Sequence, residues 1–159
     1  MTRVLVLQGP NLNLLGTREP AIYGRDSLED IHREIAARAA ELGLGVAFFQ
    51  SNHEGALIDR LHERDFDVAI VNAGGLTHTS VALRDALLAV ERPFWEVHLS
   101  DPSTREPFRA VNFLHDVAVG SIVGQGKRGY LLALDEIAAR QTMPGSDAGQ
   151  PGGGSGDGR

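Results

Sequence analysis

Five short apolar runs, each bounded by turn residues and alternating with segments of helical period, limit what this chain can fold into. The runs are Val4 to Leu7, Leu44 to Gln50, Phe66 to Asn72, Pro93 to Leu99 and Val117 to Val123. The third is continuously apolar, as expected of a strand buried on both faces. Four helices are predicted between and after the strands. They cover about 27–42, Glu54 to Arg64, Thr77 to Val90 and Tyr130 to Gln141. Ser27 with Asp30 reads as an N-cap with an acidic N3 residue, and Gly43 suits the position after the helix. Strands alternating with helices predict a doubly wound α/β fold with a parallel sheet covered on both faces. Right-handed crossovers leave few topologies, and 2-1-3-4-5 is a common order for five strands.

That order has a functional consequence. Ligands in such sheets bind beyond the carboxyl ends of the strands, where strands 1 and 3 diverge. Asn11 follows strand 1. Asn72 and Gly74-Gly75 end strand 3. Glu96, His98 and Ser100 lie at the end of strand 4. The unusual polar residues therefore share one rim.

A loop of roughly fifteen residues separates the first strand from the first long helix, far beyond an ordinary βα connection. It carries Asn11, Asn13, Arg18 and Tyr23 between Gly9 and Gly24, with few apolar anchors. Loops of this length are usually functional or disordered. An Arg five residues from a Tyr suggests a phenol activated by a guanidinium. The alternative is a surface lid with a solvated Arg and a packing Tyr.

Composition removes several classes of function. The 159 residues suit one domain over 1–142, with a Gly-rich, aperiodic tail over 143–159 expected to be disordered. Net charge is −6, without the basic footprint of a nucleic-acid binder. No apolar run is long enough to span a membrane, and the N-terminus does not read as a signal peptide, so a cytoplasmic location is expected. Cys is absent, which excludes thiolate chemistry, and no His spacing suggests a metal. Lys127, in a Gly-rich turn, is the one lysine that could form an imine.

Glu96 and His98 alternate on a strand and so face the same side. A carboxylate beside an imidazole fixes its tautomer, an arrangement suited to general acid catalysis. A hydrogen-bonded but idle strand-end His is the alternative. Gly124-x-Gly126-x-x-Gly129 matches a dinucleotide fingerprint literally, yet it follows the last strand, which favours a tight turn. His32 and His62 are expected on helix surfaces, and His53 and His115 in solvated connections. His78 precedes a helix at the rim. Arg105 and Arg109 share a polar loop, and Arg suits the grip of carboxylates. In an acidic protein this points to a small anionic substrate.

Several motifs together resemble one family. They are Gly9-Pro-Asn-Leu-Asn-Leu-Leu-Gly-x-Arg-Glu-Pro-x-x-Tyr-Gly24, Asn72-Ala-Gly-Gly-Leu-Thr-His-Thr-Ser80, Glu96-Val-His-Leu-Ser100 and Arg105-Glu-Pro-Phe-Arg109. The chain from about Arg3 to Arg140 is similar to the type II 3-dehydroquinate dehydratases. The resemblance implies a flavodoxin-like fold and the reversible trans loss of water from 3-dehydroquinate, through an enolate, in the shikimate pathway of aromatic amino acid biosynthesis. It implies no cofactor and no metal.

The resemblance also implies roles. Tyr23 would remove a proton beside the ketone, with Arg18 holding the tyrosinate. His98 would protonate the departing hydroxyl, oriented by Glu96. Asn11 would stabilise the enolate through a water. Asn72 and the backbone N–H groups of Leu99 and Ser100 would bind the substrate carboxylate. His78, Asp85 and Arg109 would contact the ring hydroxyls, with Asp85 supplied by a neighbouring subunit of a homo-oligomer, a dodecamer of trimers. Asp101 departs from the family's usual Asn. The competing reading is a flavodoxin-like mononucleotide-binding or signalling module, which accounts for the sheet but not for Arg18, Tyr23, His98 and Arg109 together.

Overall fold

The computed structural model describes residues 1–17 and 19–142. Its sheet has strands β1 (Arg3–Gln8), β2 (Gly45–Gln50), β3 (Val68–Asn72), β4 (Phe94–His98) and β5 (Gly120–Val123). All pairs are parallel and the order is β2-β1-β3-β4-β5, as the alternating pattern predicts. The helices are α1 (Pro20–Tyr23), α2 (Leu28–Glu41), α3 (Glu54–His62), α4 (Val81–Ala89) and α5 (Arg128–Thr142). The tail expected to be disordered lies outside the described residues, as does Arg18.

Strand alternation builds two cores. Val4, Val6, Val68, Ile70 and Val97 face α2 and α5, meeting Ile31, Ile35, Leu134 and Ile137. Leu5, Leu7, Ala69, Val71 and Phe94 face the other way, onto Leu57 and Leu61 of α3 and Leu83 and Leu87 of α4. Burying both faces explains why the strands read as continuous apolar runs rather than as alternating ones. Ser27 caps α2 in a full capping box: its hydroxyl accepts from Asp30 N at 3.1 Å, and the Asp30 carboxylate accepts from Ser27 N at 3.0 Å.

Three elements differ from the sequence reading. The helix expected from Thr77 is split into a 3₁₀ turn over Gly74–His78 and then α4. Ser80 supplies the cap, accepting from Leu83 N at 2.9 Å, while Thr77 is buried and turned away from that duty. The strand expected from Val117 begins only at Gly120, because Val117 N and Ala118 N bond back to Leu114 O and hold a turn there. The long loop is partly built: Leu12–Leu14 form a 3₁₀ turn, Pro20–Tyr23 a short helix, and Leu12 and Leu15 are buried against the α2–α5 core. Those two leucines are apolar anchors that the sequence reading understated.

The loop's origin depends on Gly9. A Cβ there would sit 2.3 Å from Ala73 O, so only glycine lets the exits of β1 and β3 approach this closely. The last glycine motif is a strand-to-helix turn, with Gly124 at φ +72° and Gly126 at φ +58° leading into α5.

Candidate active site

The carboxyl ends of β1, β3 and β4 open into a cavity of about 140 Å³. Its walls bring together Asn11 and Tyr23 from the long loop, Asn72 and His78 from β3 and the turn after it, and His98, Leu99 and Ser100 from the end of β4. Arg105 and Arg109 close the rim from the segment after β4. Asp85 lies exposed on α4, outside this lining.

Glu96 is fully buried and points the same way as His98, as strand alternation requires. One carboxylate oxygen faces His98 Nε2 at 2.9 Å and Asn112 Nδ2 at 2.6 Å. The other faces His115 Nδ1 at 3.0 Å and Ser121 Oγ at 2.7 Å. Asn112 is itself oriented by accepting the backbone N–H groups of Leu114 and His115. Burial pushes the Glu96 carboxyl up, but hydrogen bonds from His98, Asn112 and Ser121, with the attraction of the His98 charge, outweigh it and bring the carboxyl down to about 2. Glu96 is therefore ionised at neutral pH. Because its charge fixes Nε2 of His98 as a donor, Nδ1 is left as the ring's other proton-transfer nitrogen. His115, expected only to be solvated, is a second imidazole on the same carboxylate.

Tyr23 presents its hydroxyl to Arg105, whose Nη1 donates to it at 2.5 Å. The guanidinium carbon also lies 5.3 Å from the phenol ring centroid. Arg105 was legible in the sequence as a rim guanidinium but not as a partner of Tyr23, because 82 positions separate the two. The phenol oxygen thus has a charged hydrogen-bond donor beside it.

The remaining polar groups are held in place. Arg109 Nε donates to Glu106 Oε2 at 2.6 Å. His78 Nδ1 lies 2.6 Å from Val111 O, so it must carry a hydrogen there. Asn11 sits at φ 70°, with its backbone N–H donated to Asn52 Oδ1 at 2.9 Å. Asn52 is a further supporting residue that sequence reasoning missed. Asp101 Oδ1 accepts from Ser103 N at 2.9 Å and Ser103 Oγ at 2.7 Å, a local cap that an Asn oxygen could equally provide. Among the described residues no group of three or more His, Asp and Glu is placed to hold a metal.

Known proteins share this sequence pattern and fold. Residues 2–138 match the family model for class II dehydroquinase. The chain is 58% identical over 137 residues to a 3-dehydroquinate dehydratase of Methylococcus capsulatus, covering 84% of this chain and 93% of that one. It is 52% identical over 137 residues to a catabolic 3-dehydroquinase of Emericella nidulans, covering 85% and 90%. A type II dehydroquinase structure from Butyrivibrio crossotus superposes with a TM-score of 0.83 at 41% identity, covering 86% of this chain and 97% of that one. The chain thus belongs to the class II dehydroquinase family.

Proposed function

We propose that this protein is a hydro-lyase that removes water from 3-dehydroquinate to give 3-dehydroshikimate, reversibly and through an enolate. The observation that carries the reading is the meeting of Tyr23 and His98 across one cavity rimmed by Arg105 and Arg109. Elimination from a β-hydroxy ketone needs a base beside the carbonyl and an acid at the leaving hydroxyl.

In this reading the Tyr23 oxygen, carrying negative charge, takes the proton from the carbon next to the ketone. Electrons pass to the carbonyl oxygen and form the enolate, which Asn11 stabilises through a water. His98 then gives its proton to the departing hydroxyl, which leaves as water as the enolate collapses to the conjugated ketone. Glu96 balances the charge of His98 before the transfer and keeps the ring oriented. Arg105 stabilises the oxygen of Tyr23, and Arg18, on the same loop, shares that duty. Asn72 with the backbone of Leu99 and Ser100 receives the substrate carboxylate, while His78 and Arg109 contact the ring hydroxyls.

Asp85 has no place in its own cavity, which supports its supply by a neighbouring copy in a homo-oligomer, a dodecamer built from trimers. Closure of the long loop over the ligand would exclude water from the enolate. No helix among the described residues is long and apolar enough to cross a membrane. A role in the shikimate pathway and a cytoplasmic location complete the proposal. Incubating the purified chain with 3-dehydroquinate and recording the ultraviolet absorbance of the conjugated product tests it. The absorbance should rise, and its absence would leave a binding module of the same fold.

A further inference from the structure

Behind the cavity wall, Asn72 heads a line of three further polar side chains that the chemistry above leaves idle. Asn72 Nδ2 donates to the Tyr130 hydroxyl at 2.9 Å. That hydroxyl donates to Gln8 Oε1 at 2.7 Å. Gln8 Nε2 lies 3.4 Å from His32 Nε2, on a ring stacked 4.1 Å from Phe48. Gln8, Asn72 and Tyr130 are all buried. His32 is half-buried, not the surface residue that its place on α2 predicts.

The line has one consistent direction. Gly74 N donates to Asn72 Oδ1 at 3.2 Å, which turns the amide nitrogen toward Tyr130. The phenol oxygen must accept there, so its single hydrogen goes to Gln8 Oε1. The Gln8 amide nitrogen then faces His32, whose Nε2 must accept. Burial lowers the pKa of His32, keeping the neutral, accepting imidazole at neutral pH. Burial pushes the Tyr130 phenol up to about 12 against its two hydrogen bonds, so it keeps the hydrogen that the line needs.

We infer that Tyr130 is a positioning residue: it holds the Asn72 carboxamide so that the second N–H faces the cavity and meets the anionic group of the substrate, with Gln8 and His32 fixing the direction of the line. The substrate contact rests on the dehydratase reading. The orientation of Asn72 does not.

Tyr130→Phe keeps the ring in the core and removes only the hydroxyl. KM for 3-dehydroquinate should rise about tenfold while kcat changes less than about threefold, the signature of lost substrate binding. Asn72→Ala should also raise KM, and adding Tyr130→Phe to it should do nothing more. Gln8→Met, which takes the acceptor from Tyr130, should act in the same direction and covers the case of a Phe variant that does not fold. The side-chain amide signals of Asn72 in the ligand-free protein should shift in Tyr130→Phe and in Gln8→Met. An unchanged KM, additive effects in the double variant or unshifted Asn72 signals would overturn the inference. Wild type that fails to convert 3-dehydroquinate would instead remove the dehydratase reading, with the amide signals still deciding the positioning claim.

Discussion

Arg105 reaches from the segment after β4 to the long loop, and its Nη1 donates to the Tyr23 hydroxyl at 2.5 Å. In the proposed reaction this contact brings a fixed positive charge to the oxygen that acts as the base. Arg105→Ala should therefore lower kcat for 3-dehydroquinate by about 10²-fold, the scale of losing one donor to a developing oxyanion. Arg105→Lys should recover only part, because an ammonium lacks the planar fork. Turnover within about twofold of wild type in the Ala variant would detach Arg105 from the base.

His98 acts in the account only as the proton donor. His98→Ala should reduce kcat by about 10²–10⁴-fold, with KM nearly unchanged, since leaving-group protonation belongs to the transition state. A rise in KM with kcat preserved would make His98 a substrate contact instead.

Glu96 ties the site to acid stability. Its carboxyl stands at about 2 in the folded chain against an ordinary 4.5. A depressed carboxyl stabilises the fold above its unfolded value, and that contribution fades as pH falls from about 4.5 through about 2. The full contribution is roughly 3 kcal/mol. Melting temperature followed across that window should fall steeply in wild type. Glu96→Gln should start lower and fall less. Parallel curves would show that the carboxylate is not the source.

The helix caps offer a test away from the chemistry. Ser27→Ala removes half of the α2 capping box and should cost about 1 kcal/mol, a few degrees in Tm, with KM unchanged. A Tm equal to wild type would show that the box contributes nothing to the fold.

The sheet was legible because strand runs and helix caps are local signals. Ser27 and Asp30 lie three positions apart, and the switch-point rule puts Asn11, Asn72, His98 and Ser100 on one rim, where the cavity holds all four. The misreadings arose where long-range partners decide. Thr77 and Ser80 both look like caps, and only burial of the first selects the second. No local signal joins Gln8 to Tyr130, which bond across 122 positions. His32 reads as a surface residue until Gln8 and Phe48 come against it. His115 is exposed, as the sequence implies, but its reach to Glu96 across 19 positions is not a local signal.

The division of labour between Tyr23 and His98 can be separated by running the reaction in D₂O. With the acid removed, the base can still form the enolate and return deuterium to the carbon beside the ketone. In His98→Ala, 3-dehydroquinate should gain one deuterium at that carbon, detected by mass spectrometry and NMR, while the conjugated product hardly forms. In Tyr23→Phe neither exchange nor product should appear. Exchange that persists in Tyr23→Phe, or that vanishes in His98→Ala while Tyr23→Phe retains it, would contradict the assignment of Tyr23 as base and His98 as acid.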